Sequence, residues 1–143
     1  MTGAYVVKAA RGWLGTPYLH QGRLKGIGVD CAGLIIAVAR ELGLLPPEFD
    51  VTGYSRQPDG QLLSHCDRHM RRVDEPQPGD VLITRFDIDP CHLGFAADYH
   101  IPGHLSMIHA LCARSGRGKV IEQRIDASMR RRLVAVYRLP GVC

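Results

Sequence analysis

Asp30 stands directly before the run Cys31 to Leu44, in which Arg40 and Glu41 are the only charged residues, and Gly43 with the Pro46-Pro47 pair closes that run. Asp is a preferred N-cap because its carboxylate accepts backbone N–H groups that a first helical turn leaves without partners, while Gly and Pro stop a helix. The run therefore predicts a buried helix with Cys31 in its first turn. A helix apolar around most of its circumference must be covered by the rest of the chain, which excludes a loose or extended architecture.

The cover can be read on both sides of it. Ala4 to Leu14 reads as a short amphipathic helix, stopped by Gly15 and Pro17, with Gly15-Thr16-Pro17-Tyr18 as a turn. Gly22, Gly26 and Gly28 keep the next stretch irregular, Pro46 to Gly60 reads as loop, and Gln61 to Arg72 carries a weaker helical pattern through Leu62, Leu63, Cys66 and Met70. Beyond the turn Pro76 to Asp80, five segments have strand character: Val81–Phe86, His92–Ala97, Ser106–Ala113, Lys119–Ile125 and Leu133–Leu139. Helices first and strands later predict an α+β fold, helices packed on a mainly antiparallel five-stranded sheet. At 143 residues and 45% hydrophobic content, residues 1–143 form one domain that buries about 70% of the surface its unfolded chain exposes.

Composition narrows the function classes. The five cysteines are odd in number and contain no CxxC pair, so they are expected to be reduced thiols rather than a disulfide framework. Net charge is +4, and eight basic residues between Arg114 and Arg138 face only Glu122 and Asp126, a balance that attracts anionic partners. No nucleic-acid motif accompanies them, and Arg130-Arg131-Arg132 reads as a turn before a strand. Met1 to Ala10 lacks the charged-then-apolar order of an export signal, and no apolar run approaches the ~20 residues of a membrane span, so synthesis in the cytoplasm without membrane insertion is expected.

Three separated segments carry candidate chemistry: Asp30-Cys31-Ala32-Gly33-Leu34, Cys91-His92-Leu93-Gly94 and Ile108-His109-Ala110. A nucleophile, a base and an orienting group drawn from distant segments are the parts of a cysteine hydrolase. Lowering a thiol from ~8.5 to about 6 takes roughly 3.4 kcal/mol, more than the ~2 kcal/mol limit of a helix N-terminus, so an imidazolium is expected to supply the rest of a Cys31 thiolate's stabilisation. His92, opening a strand after Pro90, is the candidate base. His109, in the next strand, is expected to face His92 across an antiparallel pair and fix its tautomer. His65, Cys66 and His69 have chelate spacing, but no Glu follows His65 and Arg68, Arg71 and Arg72 make the face basic, so this reads as a surface helix with no metal and no cofactor. His100 and His104 are expected to be exposed in a loop.

With Gly15-Thr16-Pro17-Tyr18, Pro78-Gly79-Asp80 and the three segments above in this order, the chain resembles the NlpC-type cell-wall peptidases, the NlpC and p-sixty family, over nearly its whole length. His20-Gln21, Leu24-Lys25-Gly26 and the stretch from Arg131-Arg132 to Leu139-Pro140 resemble the branch encoded with the tail genes of phages and prophages. The resemblance implies a papain-like domain that hydrolyses peptidoglycan stem peptides, commonly between γ-D-glutamate and a diamino acid. It also implies phage tail proteins as partners and a tail-associated location. On it, Cys31, His92 and His109 are nucleophile, base and orienting residue, Tyr18 assists the oxyanion or substrate, and Asp30 binds a substrate amino group. Many cellular members carry Ser directly after the nucleophile, where this chain has Ala32, a departure that bears on substrate preference. The alternatives are a non-catalytic tail-assembly or adaptor protein on the same fold, and an amidase or acyl-transferring enzyme with the same three residues.

Overall fold

The computed structural model describes residues 1–51, 61–85, 90–112 and 117–143. The loop expected over 52–60, the strand end at Phe86, and Ala113 and Arg114 lie outside the described residues. The chain runs α1 (Gly3–Arg11), a small ribbon β1 (Arg23–Leu24) and β2 (Gly28–Val29), then α2 (Cys31–Glu41) and α3 (Leu62–His69). Next come β3 (Arg71–Val73), β4 (Val81–Arg85), β5 (Pro90–Asp98), β6 (Leu105–Cys112), β7 (Gly118–Arg124), α4 (Ala127–Arg132) and β8 (Leu133–Arg138). Strands β3 to β8 form one antiparallel sheet in the order β3-β8-β4-β5-β6-β7.

Period-two alternation along the central strands divides their side chains between two apolar clusters. Val81, Ile83, Phe95, Ile108 and Ala110 join Val6 and Val7 of α1 and Leu34 and Val38 of α2 in the larger core. Leu82, Ala96, Met107 and Val136 form the smaller cluster with Met129 of α4. Each fully buried side chain of this size contributes about 1.5–3 kcal/mol, so α2 is held chiefly by its packing. Its start is local: extended Asp30 accepts the Gly33 N–H at 2.7 Å, and Gly43 at φ 72° turns the chain away after the C-cap.

The sheet has six strands rather than five. Arg71 and Arg72, expected to end a helix, instead pair together with Val73 against Arg138 to Val136 at the sheet edge, a long-range partner that no local pattern announces. The Arg130–Arg132 run ends a short helix instead of forming a turn, because Asp126 caps α4 by accepting the Met129 N–H at 2.8 Å. The glycine-rich stretch after Tyr18 also holds an antiparallel ribbon, Arg23 against Val29.

Asp80, 1% exposed, ties the sheet to the turn that precedes β4. Its carboxylate accepts Arg138 Nε at 2.8 Å and a second guanidinium nitrogen at 2.9 Å, while Oδ2 also accepts the Gln77 N–H of the preceding turn. The late basic residues are therefore not one solvated face, since Arg138 turns inward to this pair.

Candidate active site

Cys31 takes its place from the N-cap. Asp30 is 1% exposed, and its oxygens receive Gly33 N and Arg23 NH1 on one side, at 2.7 and 3.1 Å, and Gln21 N on the other at 2.7 Å. His20 Nδ1 lies 3.8 Å from the same carboxylate. Gly33 lets this loop close on the helix: a Cβ there would lie 2.3 Å from the Gly22 carbonyl oxygen. The carboxylate expected to meet a substrate amine is thus engaged within the chain and clamps the 20–23 loop beside the cysteine.

The Cys31 sulfur lies against β5. The backbone N–H groups of Leu93 and Ala32 hydrogen-bond toward it, and Cys91 is close enough to influence its charge. The N–H of Leu93, next to His92 in sequence, is therefore at the thiol. Tyr18 is half-buried against the large core, with its backbone N–H on the Gly118 carbonyl at 2.9 Å and a bridge to Val29, two residues before Cys31.

His92 and His109 meet inside the sheet, 5% and 4% exposed. His92 Nε2 lies 2.7 Å from His109 Nδ1, and the rings cross at 69° with centroids 5.0 Å apart. They do not face each other directly. Phe95 pairs with Ile108, and the same register sets His109 opposite Gly94, diagonal to His92. Gly94 is what makes the diagonal passable: a Cβ there would stand 2.9 Å from His109 Cβ and 2.5 Å from Met107 Cε. On its far side, His109 Nε2 lies 2.8 Å from the side-chain oxygen of Gln123 on β7. Gln123 was missed in the sequence; its only signal there is a position diagonal to His109, whose direct partner is Ile121.

The charge states differ from those expected of a thiolate and imidazolium. Burial pushes the Cys31 thiol up to about 11, and the Asp30 carboxylate pushes the same way, outweighing the two N–H groups that favour thiolate. The N-cap that starts the helix thus also places a negative charge next to the sulfur. Burial brings His92 down to about 3, helped by His109 and Arg132, and burial also lowers His109, with Arg132 adding and the Gln123 contact opposing. Each of these shifts favours the neutral form, the thiol at Cys31 and the uncharged imidazole at His92 and His109.

The other candidates stay apart from this arrangement. All five cysteines are free, with Cys66 buried among apolar side chains, and burial raises its thiol to about 12. His69 packs edge-on against Phe49, while His100 and His104 are exposed. Among the described residues no three His, Cys, Asp or Glu side chains form a group suited to a metal ion, and no helix is long and apolar enough to cross a membrane.

Neither a family model nor a curated protein matches the sequence. Solved structures do match. The NlpC/p60 domain of the peptidoglycan hydrolase SagA superposes with a TM-score of 0.62 at 20% identity, over 97% of this chain and 100% of that chain. The fold is that of an NlpC/p60 domain. A lipoprotein-like member of the NLP/P60 family from Staphylococcus aureus subsp. aureus Mu50 gives 0.63 at 16% identity, over 97% of this chain and 41% of that one. Ly7917 gives 0.58 at 15% identity, over 99% of this chain and 63% of its own. The likeness at these identities is one of fold. The α+β, papain-like architecture of NlpC/p60 domains, with helices on a mainly antiparallel sheet, is what the sequence led us to expect, apart from the sixth strand.

Proposed function

We propose that the chain is a cysteine peptidase of the NlpC/p60 family that hydrolyses peptidoglycan stem peptides. The single observation that carries this reading is the convergence of the Cys31 sulfur, at the start of α2, on the strand segment that holds His92, with His92 in turn bonded to His109 at 2.7 Å. Its support from outside is the fold shared with the NlpC/p60 domain of SagA, itself a peptidoglycan hydrolase.

Because His92 is neutral, it acts as a base and not as a standing imidazolium. As the scissile carbonyl arrives, the neutral ring takes the Cys31 proton and the sulfur attacks the carbonyl carbon. Nε2 is committed to His109, so the proton passes to Nδ1. The developing oxyanion meets the Cys31 backbone N–H at the helix start and the Tyr18 hydroxyl. His92 then returns the proton to the leaving amine, and water hydrolyses the thioester by the same exchange. Asp30 serves as a positioning group that holds the 20–23 loop and the helix start.

Within this proposal the cleaved bond joins γ-D-glutamate to a diamino acid, and the chain reaches the wall on a phage-like tail. Supporting the second part, the segment that resembles tail-encoded members leaves Leu19, Leu24 and Ile27 at 53%, 64% and 68% exposure, apolar area available to a tail protein. Incubation with purified muropeptides, read by mass spectrometry, tests the activity. One hydrolytic cleavage within the stem is expected, and Cys31→Ala or His92→Ala lowers it by roughly 10⁴-fold or more. Intact muropeptides after prolonged digestion would leave the adaptor reading in its place.

A further inference from the structure

The geometry points to Gln123 as a positioning residue for the proposed reaction: its side-chain oxygen, relayed through His109, selects the His92 tautomer whose Nδ1 carries the lone pair. The inference rests on the reading of His92 as the base, and its geometry is the line His92 Nε2, His109 Nδ1, His109 Nε2, Gln123 Oε1, closed by contacts of 2.7 and 2.8 Å.

A neutral imidazole has one N–H donor and one acceptor nitrogen, so in a chain of neutral rings each bond dictates the next. An amide oxygen only accepts. Facing it, His109 Nε2 must carry the proton, which leaves His109 Nδ1 as an acceptor. His92 Nε2, 2.7 Å away, must then donate, and His92 Nδ1 is left unprotonated. That is the nitrogen a base needs toward a thiol. With the amide turned the other way every assignment inverts, and His92 Nδ1 carries a proton and cannot accept one. The logic holds only while both rings are neutral, and burial with the nearby Arg132 charge favours that state in each.

The position suits this task. Gln123 sits on β7 diagonal to His109, and its own side chain is exposed while both rings are buried, so it can be replaced without emptying the core. Gln123→Glu keeps an acceptor at the end of the line, Gln123→Leu offers nothing, and Gln123→Lys offers only donors.

Nitrogen-15 NMR of the imidazoles in the whole, substrate-free chain near pH 7.5 reads the protons directly. In the wild type, His92 and His109 are both expected as Nε2–H tautomers; Gln123→Leu is expected to mix tautomers in both rings, and Gln123→Glu to restore them. On muropeptides, Gln123→Leu should lower kcat roughly tenfold with KM little changed, the scale of one hydrogen bond, with recovery in Gln123→Glu. An Nδ1–H tautomer of His92 in the wild type overturns the relay, as do unchanged tautomers in Gln123→Leu. A chain that shows the relayed tautomers yet digests no muropeptide upholds the relay and sinks the peptidase reading alone.

Discussion

Among the described residues, two polar pairs stand in or beside this sheet, and they are accommodated in opposite ways. Asp80 and Arg138 form an ion pair, with a bidentate bond that joins β8 to the turn before β4. His92 and His109 have no opposing charge within the pair; burial makes both neutral, and a neutral ring can donate at one nitrogen while accepting at the other. The ion pair is held by opposite charge, while the imidazole pair is held by a hydrogen bond between neutral rings, in which a ring nitrogen has a lone pair.

The contrast is broken most sharply at the clasp. Arg138→Ala leaves a carboxylate that is 1% exposed without its counterion, and removal of one partner from a buried pair typically costs about 3–5 kcal/mol. Thermal unfolding should move down by about 10 °C. Replacing both partners, Asp80→Asn with Arg138→Met, should recover part of the loss; a single variant as stable as the wild type would show that the pair holds nothing.

At the imidazoles the corresponding loss is of activity. His109→Ala should lower muropeptide hydrolysis by about 10²-fold, while His109→Asn, which still reaches a ring nitrogen, should keep more. Equal losses would remove the orienting role from His109.

The smallest effect separates the pairs by pH. His92 is lowered from its ordinary value to about 3, and His109 is lowered too, so the unfolded chain binds protons that the folded chain does not. Their contribution to stability is complete above about pH 6.5 and is lost as pH falls toward 3. At pH 5.5 the loss from His92 is about 1 kcal/mol, and His109 adds in the same direction. Urea titrations at pH 7.5 and 5.5 should show a smaller pH difference in His92→Leu than in the wild type. The same slope in both would contradict burial as the cause.

Much of the site's frame was legible because it is set by near neighbours. Asp30 caps its own helix three residues on, Gly43 and Pro46 end it, and the apolar runs Val81 to Ile83 and Phe95 to Ala97 mark buried strands. Those patterns placed Cys31 at a helix start and both histidines on strands. The sixth strand depends on Arg138 lying beside Arg71, the diagonal of His92 and His109 on a register passing through Gly94, and Gln123 on the pairing of β6 with β7. None of these is a property of a short window. The charge state is the clearest case: a helix start and a histidine alone argue for a thiolate, but burial and the Asp30 carboxylate reverse that sum. Desolvation depends on everything packed around a group, so the tertiary structure decided which way the protonation of Cys31 and His92 leans, whereas the sequence by itself determined that Cys31 opens a helix and His92 lies on a strand.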